Sequence, residues 1–91
     1  MKIKEETDAY VEERSAILAE SLARLRTEAG LSVAELSWKS GVSASTIRRI
    51  EKGDANLRVT TLFDIATALG VNTGRLVSTK EEWGEHMSEK S

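Results

Sequence analysis

The chain has 91 residues, of which 40% are hydrophobic and 31% charged, with no cysteine and no proline, as in one small globular domain. The lack of cysteine excludes a disulfide framework and a thiolate metal site. No apolar run approaches the roughly 20 residues of a membrane span, and residues 1–9 contain no stretch of signal-peptide type. We therefore expect a cytoplasmic protein with no membrane contact.

The net charge of −2 is unevenly distributed along the chain. Residues 24–58 carry seven basic and four acidic side chains, whereas residues 1–23 carry three and six, and residues 59–91 carry three and five. A basic segment supplies the positive surface that contact with phosphates requires, and acidic ends would limit non-specific attraction to a polyanion. A solvated charged face without a partner is the alternative interpretation.

The first predicted helix covers about residues 7–29. Apolar side chains recur along one face of it, at intervals of seven, four, three and four residues: Val11, Leu18, Leu22, Leu25 and Ala29. Gly30 follows and predicts the end of the helix, because glycine readily adopts the left-handed conformation of a C-terminal cap. Leu31 is expected to fold back onto the core.

The second predicted helix begins at Ser32. Ser32 and Glu35 have the spacing of a capping box, in which each side chain accepts a hydrogen bond from the backbone amide of the other residue. Leu36 is the core residue of this helix, and Gly41 ends it.

The third predicted helix follows Ser43, its expected N-cap, and extends to Lys52 before Gly53. Ile47 and Ile50 are expected to face the core. Its other faces carry small, polar and basic side chains: Ala44, Ser45, Arg48, Arg49 and Lys52.

The fourth predicted helix covers residues 60–69, and Gly70 ends it. Its buried face contains Leu62, Ile65, Ala66 and Leu69. The next residue, Val71, is expected to pack inward.

A short fifth helix that presents Leu76 is predicted over residues 73–77. Thr79 and Glu82 have the spacing to cap a last short helix that holds Trp83. The polar tail from about residue 85 is expected to fray. An all-α fold is therefore expected.

The second and third helices, joined by a turn at Gly41, have the arrangement that places one helix in the DNA major groove. The third helix begins with small and polar residues at 43–46 and continues with Arg48 and Arg49, which suits contact with base edges. Residues 18–77 resemble the Cro/C1-type helix-turn-helix family, also called the XRE family, through the stretches LARLRTEAGLSVAEL, SGVSASTIRRIEKG and LFDIATALGV.

The resemblance implies a five-helix lambda-repressor-like DNA-binding domain with an extended first helix and a short C-terminal helical tail. We expect an N-terminal helical extension over residues 1–16, the helix-turn-helix domain over residues 17–78 and the tail over residues 79–91. A protein of this family is expected to be a sequence-specific regulator of transcription that binds double-stranded DNA.

The resemblance also assigns roles to particular residues. It implies base contacts by Ala44, Ser45 and Arg49, since small, polar and forked side chains suit base edges. Contacts with phosphates are expected from side chains or backbone amides of Ser32, Val33, Ser43, Thr46, Arg48, Lys52, Asn56 and Arg58. Arg26 and Glu51 match a structural ion pair of phage repressors, and an added role of Arg26 in orienting a phosphate is the alternative.

Three features depart from the family pattern. Val33 stands where a phosphate-binding glutamine is frequent, so that contact is missing or is made by the backbone alone. Asn56 and Leu57 replace a frequent Asn-Pro pair, a form similar to some restriction–modification controller proteins and some antitoxins. The extension over residues 1–15 is longer than the minimal domain requires.

Arg48 and Trp38 each have two interpretations. Arg48 either contacts a phosphate or is a solvated residue that pairs with Glu51 or Glu35. Trp38 either anchors a partner protein or packs on a neighbouring helix, and the second is the preferred interpretation.

Leu76 and Trp83 are candidates for a dimer interface, because apolar and aromatic side chains are enriched in interface cores. Packing of Trp83 onto its own domain is the alternative. His86 is the single histidine, and it lacks the partners that a metal or catalytic site requires.

The preferred function is that of a homodimeric repressor or autoregulator on a palindromic operator, because one recognition helix reads only about four to five base pairs. An antitoxin that covers a basic toxin with an acidic terminus is the second hypothesis. A protein-interaction module that has lost DNA binding is the third. We expect no enzymatic activity and no cofactor, because activated nucleophiles, bases and a glycine-rich phosphate loop are missing.

Overall fold

A computed structural model describes residues 4–84 of the chain. These residues contain no strand and form five helices, followed by a short helical segment at residues 80–84. The helices are α1 (Lys4–Glu28), α2 (Val33–Ser40), α3 (Ala44–Glu51), α4 (Val59–Leu69) and α5 (Thr73–Leu76). The predicted all-α fold is confirmed, and none of the described helices has the length and apolarity needed to cross a membrane.

Side chains from all five helices meet in one hydrophobic core. Its members are Leu18, Leu22, Leu25, Leu36, Val42, Ile47, Ile50, Ile65, Ala66 and Leu76. Burial of each leucine or isoleucine stabilises the fold by about 1.5–3 kcal/mol. The core therefore fixes α3 against α1 and α2, which is the arrangement on which the functional surface rests.

The apolar face predicted for α1 is buried only in the second half of the helix. Val11 is 53% exposed, because it faces an open groove and not a neighbouring helix. Ala29 is also exposed, since α1 ends at Glu28 and the turn at Gly30 leads the chain away. The apolar face predicted for α1 is therefore buried at Leu18, Leu22 and Leu25 and exposed at Val11 and Ala29.

Helix boundaries differ from the predicted ones by up to three residues. α1 begins at Lys4 and not at residue 7, and α4 begins at Val59 and not at residue 60. Asn72 caps α5 by accepting a hydrogen bond of 3.1 Å from the Arg75 amide, and this cap is not among the predicted ones. These differences leave the order of the elements unchanged.

The first half of α1 holds the segment that follows α5. The guanidinium of Arg14 makes two bonds of 3.0 Å to the Glu82 carboxylate and donates to the Val77 carbonyl at 3.3 Å. Further along α1, the fully buried hydroxyl of Ser21 donates to the Ser78 carbonyl at 2.9 Å. The ion pair of Arg14 with Glu82 joins the predicted N-terminal extension to the predicted C-terminal tail, and the bond from Ser21 to Ser78 holds the end of the predicted domain against α1.

Glu82 is also the second member of the predicted Thr79–Glu82 capping box. The Thr79 amide donates to Glu82 Oε1 at 2.9 Å, and the Glu82 amide donates to Thr79 Oγ1 at 3.0 Å. The hydrogen bond from Arg14, followed by that from the Thr79 backbone, lowers the pKa of Glu82 to about 2. The carboxylate is therefore stabilised in its charged form.

We expect a carbon-detected NMR titration to place the pKa of Glu82 near 2, and Arg14→Ala to move it back towards 4.5. Because the folded pKa lies below the unfolded one, the contribution of this ion pair to stability is complete above the unfolded pKa. It is lost as the pH falls from about 4.5 towards 2. Arg24→Ala, which removes another arginine of α1, is the control. If Arg14→Ala left the pKa of Glu82 unchanged, the assignment of the lowered pKa to Arg14 would be wrong.

Candidate nucleic-acid interface

α2 and α3 are joined by a tight turn at residues 41–43. Gly41 has a φ of 75°, in the left-handed region that suits glycine, and its amide donates to the Ser37 carbonyl at 2.9 Å. Val42 is only 8% exposed and anchors the middle of the turn in the core. The angle between the two helices is thereby fixed, as a helix-turn-helix unit requires.

α3 has an apolar inner face and a polar outer face. Ile47 and Ile50 are 0% and 2% exposed and belong to the core. The exposed side chains form two adjacent rows along the helix, Ser45 with Arg49 and Arg48 with Lys52. Three positive charges and one hydroxyl are therefore presented to solvent on a helix whose opposite face is anchored.

Hydroxyl groups hold the first turn of α3. Ser43 Oγ accepts a hydrogen bond from the Thr46 amide at 3.2 Å and donates to Thr46 Oγ1 at 2.8 Å. Ser45 Oγ lies 3.3 Å from Ser43 Oγ. Among the residues predicted to contact bases, Ser45 is exposed, whereas Ala44 is half-buried. Ala44 therefore offers at most part of its methyl group to a partner.

Arg49 is exposed but lies beside an acidic side chain. Its Nε is 4.0 Å from Asp54 Oδ2, and the two side chains are 57% and 49% exposed. Asp54 Oδ1 also accepts a hydrogen bond of 3.0 Å from the Asn56 amide. An exposed ion pair contributes only about 0.2–1 kcal/mol, so the guanidinium can exchange Asp54 for a base edge. Asp54 is not among the predicted site residues, although its spacing to Asn56 is that of an Asx turn.

The loop between α3 and α4 directs alternate side chains inward and outward. Ala55 and Leu57 pack partly buried against the core, and Asn56 and Arg58 are exposed. Leu57, which stands where the family frequently has proline, anchors the loop by packing. The two predicted phosphate contacts thus project from a loop that is attached to the core on both sides of Asn56.

The N-terminus of α2, where phosphate contacts by Ser32 and Val33 are predicted, is closed by a capping box. The Ser32 amide donates to Glu35 Oε1 at 2.9 Å, and the Glu35 amide donates to Ser32 Oγ at 3.0 Å. These bonds lower the pKa of Glu35, which keeps a negative charge beside the helix end. Because the Ser32 amide already has an anionic acceptor, we favour the Val33 amide for the phosphate contact at this helix end, and the contact predicted for Ser32 stays a prediction.

Arg26 and Glu51 form a two-point ion pair between the end of α1 and the end of α3. Arg26 Nε lies 2.7 Å from Glu51 Oε2, and Arg26 Nη2 lies 3.0 Å from Glu51 Oε1. Arg26 Nη1 donates to the Leu31 carbonyl at 2.8 Å. The side chains are 18% and 15% exposed, and the hydrogen bond to Glu51 raises the pKa of Arg26. All three nitrogens of the guanidinium are engaged inside the protein, which favours the structural role over phosphate binding.

The two acidic residues considered as partners of Arg48 are engaged elsewhere. Glu51 is bound by Arg26, and Glu35 by the backbone of Ser32. Arg48 is therefore an exposed cation next to Lys52. Trp38 is 89% exposed, so the preferred interpretation that it packs on a neighbouring helix is wrong.

Leu76 does not suit a dimer interface. It is 0% exposed and belongs to the core, because the short α5 turns its apolar side towards α1. Trp83 is half-buried and lies against Gly74, where an added methyl group would be 3.6 Å from Trp83 Cζ3. Within residues 4–84 no group of three or more potential metal ligands is present, and His86 lies outside the described residues.

Comparisons with known proteins agree with this geometry. A sequence model of the helix-turn-helix family matches residues 22–76. The uncharacterized HTH-type transcriptional regulator y4dJ from Sinorhizobium fredii is 38% identical over 66 residues, which cover 72% of this chain and 86% of the relative.

Two solved structures have the same arrangement of helices. The restriction-modification controller protein C.AhdI from Aeromonas hydrophila has a TM-score of 0.65 and 31% identity, over 68% of this chain and 94% of its own. The hypothetical transcription factor NHTF from Neisseria has a TM-score of 0.72 and 25% identity, over 78% of this chain and 82% of its own.

We expect Glu51→Ala to lower the free energy of unfolding by about 1.5–3 kcal/mol, because charged hydrogen bonds are lost and Arg26 keeps a partly buried charge. Urea denaturation of Glu51→Ala, Arg26→Ala and the double variant measures the coupling. Arg24→Ala is the control, since its ion pairs with Glu20 and Glu28 lie within α1 and such pairs contribute about 0.3–0.5 kcal/mol. If Glu51→Ala and Arg24→Ala lowered the free energy of unfolding equally, the ion pair of Arg26 with Glu51 would not be one of the interactions that fix α3.

Proposed function

The chain belongs to the helix-turn-helix family of DNA-binding transcriptional regulators, and from this we propose that it is a homodimeric, sequence-specific repressor or autoregulator. The observation that carries the proposal is the exposed outer face of α3, with Ser45, Arg48, Arg49 and Lys52 on a helix whose inner face is locked in the core. A regulator of this kind acts where the DNA is, which supports the cytoplasm as the proposed location. The family is a class of transcription regulators and not of enzymes.

In the proposed complex α3 lies in the major groove. Arg49 leaves Asp54 and donates two hydrogen bonds to one guanine, which discriminates against other bases by about 1–3 kcal/mol. Ser45 donates to or accepts from a neighbouring base, and the partly exposed Ala44 methyl contacts an apolar group such as the methyl of thymine.

Phosphates on either side of the groove position the helix. The proposed contacts are the Val33 amide, the Ser43 and Thr46 hydroxyls and the side chains of Arg48, Lys52, Asn56 and Arg58. Such contacts fix register and orientation without reading sequence. Their positive charge lies in the middle of a chain whose ends are acidic. The acidic ends are expected to limit the affinity for DNA of any sequence, so that base contacts supply a larger share of the binding free energy.

We propose a palindromic operator because α3, with eight residues, reads about four to five base pairs, too few to specify one site in a genome. A two-fold dimer doubles the site and sets the half-sites about one helical turn apart. Occupation of a promoter would then block polymerase. Similarity to a restriction-modification controller protein supports a controlling role, and control of its own gene is part of the proposal.

An antitoxin is the second candidate, supported by the acidic first half of α1. Glu5, Glu6, Asp8, Glu12 and Glu13 are all exposed there and would suit a basic partner. A toxin that copurifies with the chain and is inhibited by it would favour this candidate. The third hypothesis, a module that has lost DNA binding, receives less support, because Arg48, Arg49 and Lys52 remain exposed on α3.

We expect selection from a random duplex library at physiological salt to enrich a palindrome with half-sites near one turn apart. Enrichment of one unpaired half-site would argue against the homodimer but leave DNA reading intact. If no sequence were enriched, the recognition role of α3 would be wrong.

Arg49→Ala and Lys52→Ala are expected to separate base reading from phosphate binding on the selected duplex. Arg49→Ala should relax the preference at one base pair, at a cost of about 1–3 kcal/mol for the selected sequence. Lys52→Ala should weaken binding to all sequences alike, and it should reduce the slope of log affinity against log salt concentration by about one. Lys80→Ala, an exposed lysine of the C-terminal segment, is the control, and parent-like binding by both α3 variants would overturn the assignment.

A further inference from the structure

Asp54, just after α3, carries a carboxylate beside the arginine that is proposed to read a base. Its Oδ2 lies 4.0 Å from Arg49 Nε, and both side chains are about half exposed. Within residues 4–84, the neighbouring cations Arg48 and Lys52 form no ion pair of this kind. A carboxylate on a surface proposed to face phosphates opposes binding, so the role of Asp54 has to lie in its contact with Arg49.

The backbone holds the Asp54 carboxylate in this position. The Asp54 amide donates to the Arg49 carbonyl at 3.0 Å, which keeps the residue beside α3. At the side chain, Oδ1 accepts a hydrogen bond of 3.0 Å from the Asn56 amide. One carboxylate oxygen is therefore fixed by the loop, and the other is left as an acceptor for the arginine.

Guanine is a better acceptor for Arg49 than Asp54 is. It presents O6 and N7 together to two donors of one guanidinium, whereas Asp54 offers a single oxygen in an exposed and weak ion pair. Adenine presents N7 beside an amino group, which is itself a donor, so it cannot accept two bonds from arginine. Arg49 therefore leaves Asp54 where guanine is present and stays with Asp54 where adenine replaces it.

This internal acceptor changes the matched and the mismatched complex differently. On a matched duplex Arg49 gives up Asp54, so the free energy of the ion pair is subtracted from that of the two bonds to guanine. On a mismatched duplex Arg49 keeps the same ion pair in the free and in the bound protein, and nothing is subtracted. Asp54 therefore lowers the affinity for the matched duplex alone, which narrows the difference between the two.

We propose that Asp54 is a specificity-determining residue, an internal acceptor that holds Arg49 when guanine is absent and makes the protein tolerant of a substitution at this base pair. The inference rests on the base contact of Arg49 in the proposed function and adds the residue that limits its selectivity. Operators that differ at this base pair are then bound with more similar affinity than the two bonds to guanine alone would allow.

Binding of Asp54→Asn to two duplexes tests the proposal. One is the selected duplex, and the other carries A·T in place of the G·C pair at the position where Arg49→Ala relaxes the preference. Asparagine keeps an oxygen that can accept from the Asn56 amide, but it removes the charge that holds Arg49. We expect the ratio of matched to mismatched affinity to rise by a factor of about 1.5 to 5, as the weakness of an exposed ion pair implies.

Two variants separate this effect from a change of net charge. Asp64→Asn removes the same charge from an exposed residue of α4, and any gain in affinity should be equal for both duplexes, so the ratio should stay at that of the parent. In an Arg49→Ala background, Asp54→Asn should also leave the ratio unchanged, because no arginine remains for Asp54 to hold.

The NMR signal of the Arg49 Nε–Hε group gives a readout that does not depend on affinity. It is assigned by its loss in Arg49→Ala, and Asp54→Asn should shift it in the free protein. In the parent, the signal should keep its free-protein position on the mismatched duplex and move on the matched one.

An equal gain for both duplexes in Asp54→Asn would make Asp54 a general negative charge and overturn the proposal. A lower ratio would also overturn it, because the carboxylate would then orient Arg49 towards the base. In both cases the base contact of the proposed function would stand. If Arg49→Ala discriminated between the duplexes as the parent does, that base contact would be wrong, and this inference would fall with it.

Discussion

The contact of Arg26 with Glu51 and with the Leu31 carbonyl orients the end of α3 on the core that anchors its inner face. A helix of eight residues is not stable by itself, so it depends on these contacts with the rest of the fold. The three bonds of the guanidinium tie the last turn of α3 to the end of α1 and to the turn before α2. At the other end, Val42 and the Ser43 cap hold the first turn. The outer face is thus positioned entirely by contacts on the inner face, and its own side chains are left available for a ligand.

The loop after α3, like α3 itself, has some side chains packed on the core and others exposed. Leu57 packs on the core, whereas Asn56 and Arg58 are exposed, so residues that anchor the loop alternate with residues available to a ligand. Asp54 connects the two, since one oxygen holds the Asn56 amide and the other lies near Arg49. A DNA ligand that attracts Arg49 would compete with a weak exposed ion pair and not with a buried one. In the proposed complex, contact of Arg49 with a base would therefore require no rearrangement of the helices.

Local chemistry explains how much could be predicted from sequence. The caps at Ser32, Ser43 and Thr79 depend on residues three positions apart. The buried faces of α3 and α4 depend on helical spacing, and Ile47, Ile50, Ile65 and Ala66 are buried as that spacing predicts. In each case the residues that interact or share a face are close together in the sequence, so the pattern itself indicates the structure.

The features that local patterns could not predict all depend on contacts between distant parts of the chain. Val11 repeats at core spacing, yet what lies opposite it is an open groove, and Leu76 was assigned to an interface although the core takes it up. The ion pair between Arg14 and Glu82 spans 68 residues and leaves no local pattern. It is also the contact that joins the two segments outside the helix-turn-helix unit into one structure. Because the extended α1 forms one side of the groove and is held by that ion pair, the extension has a structural role: it adds an apolar surface beside the loop that carries Asn56 and Arg58, without altering the face of α3.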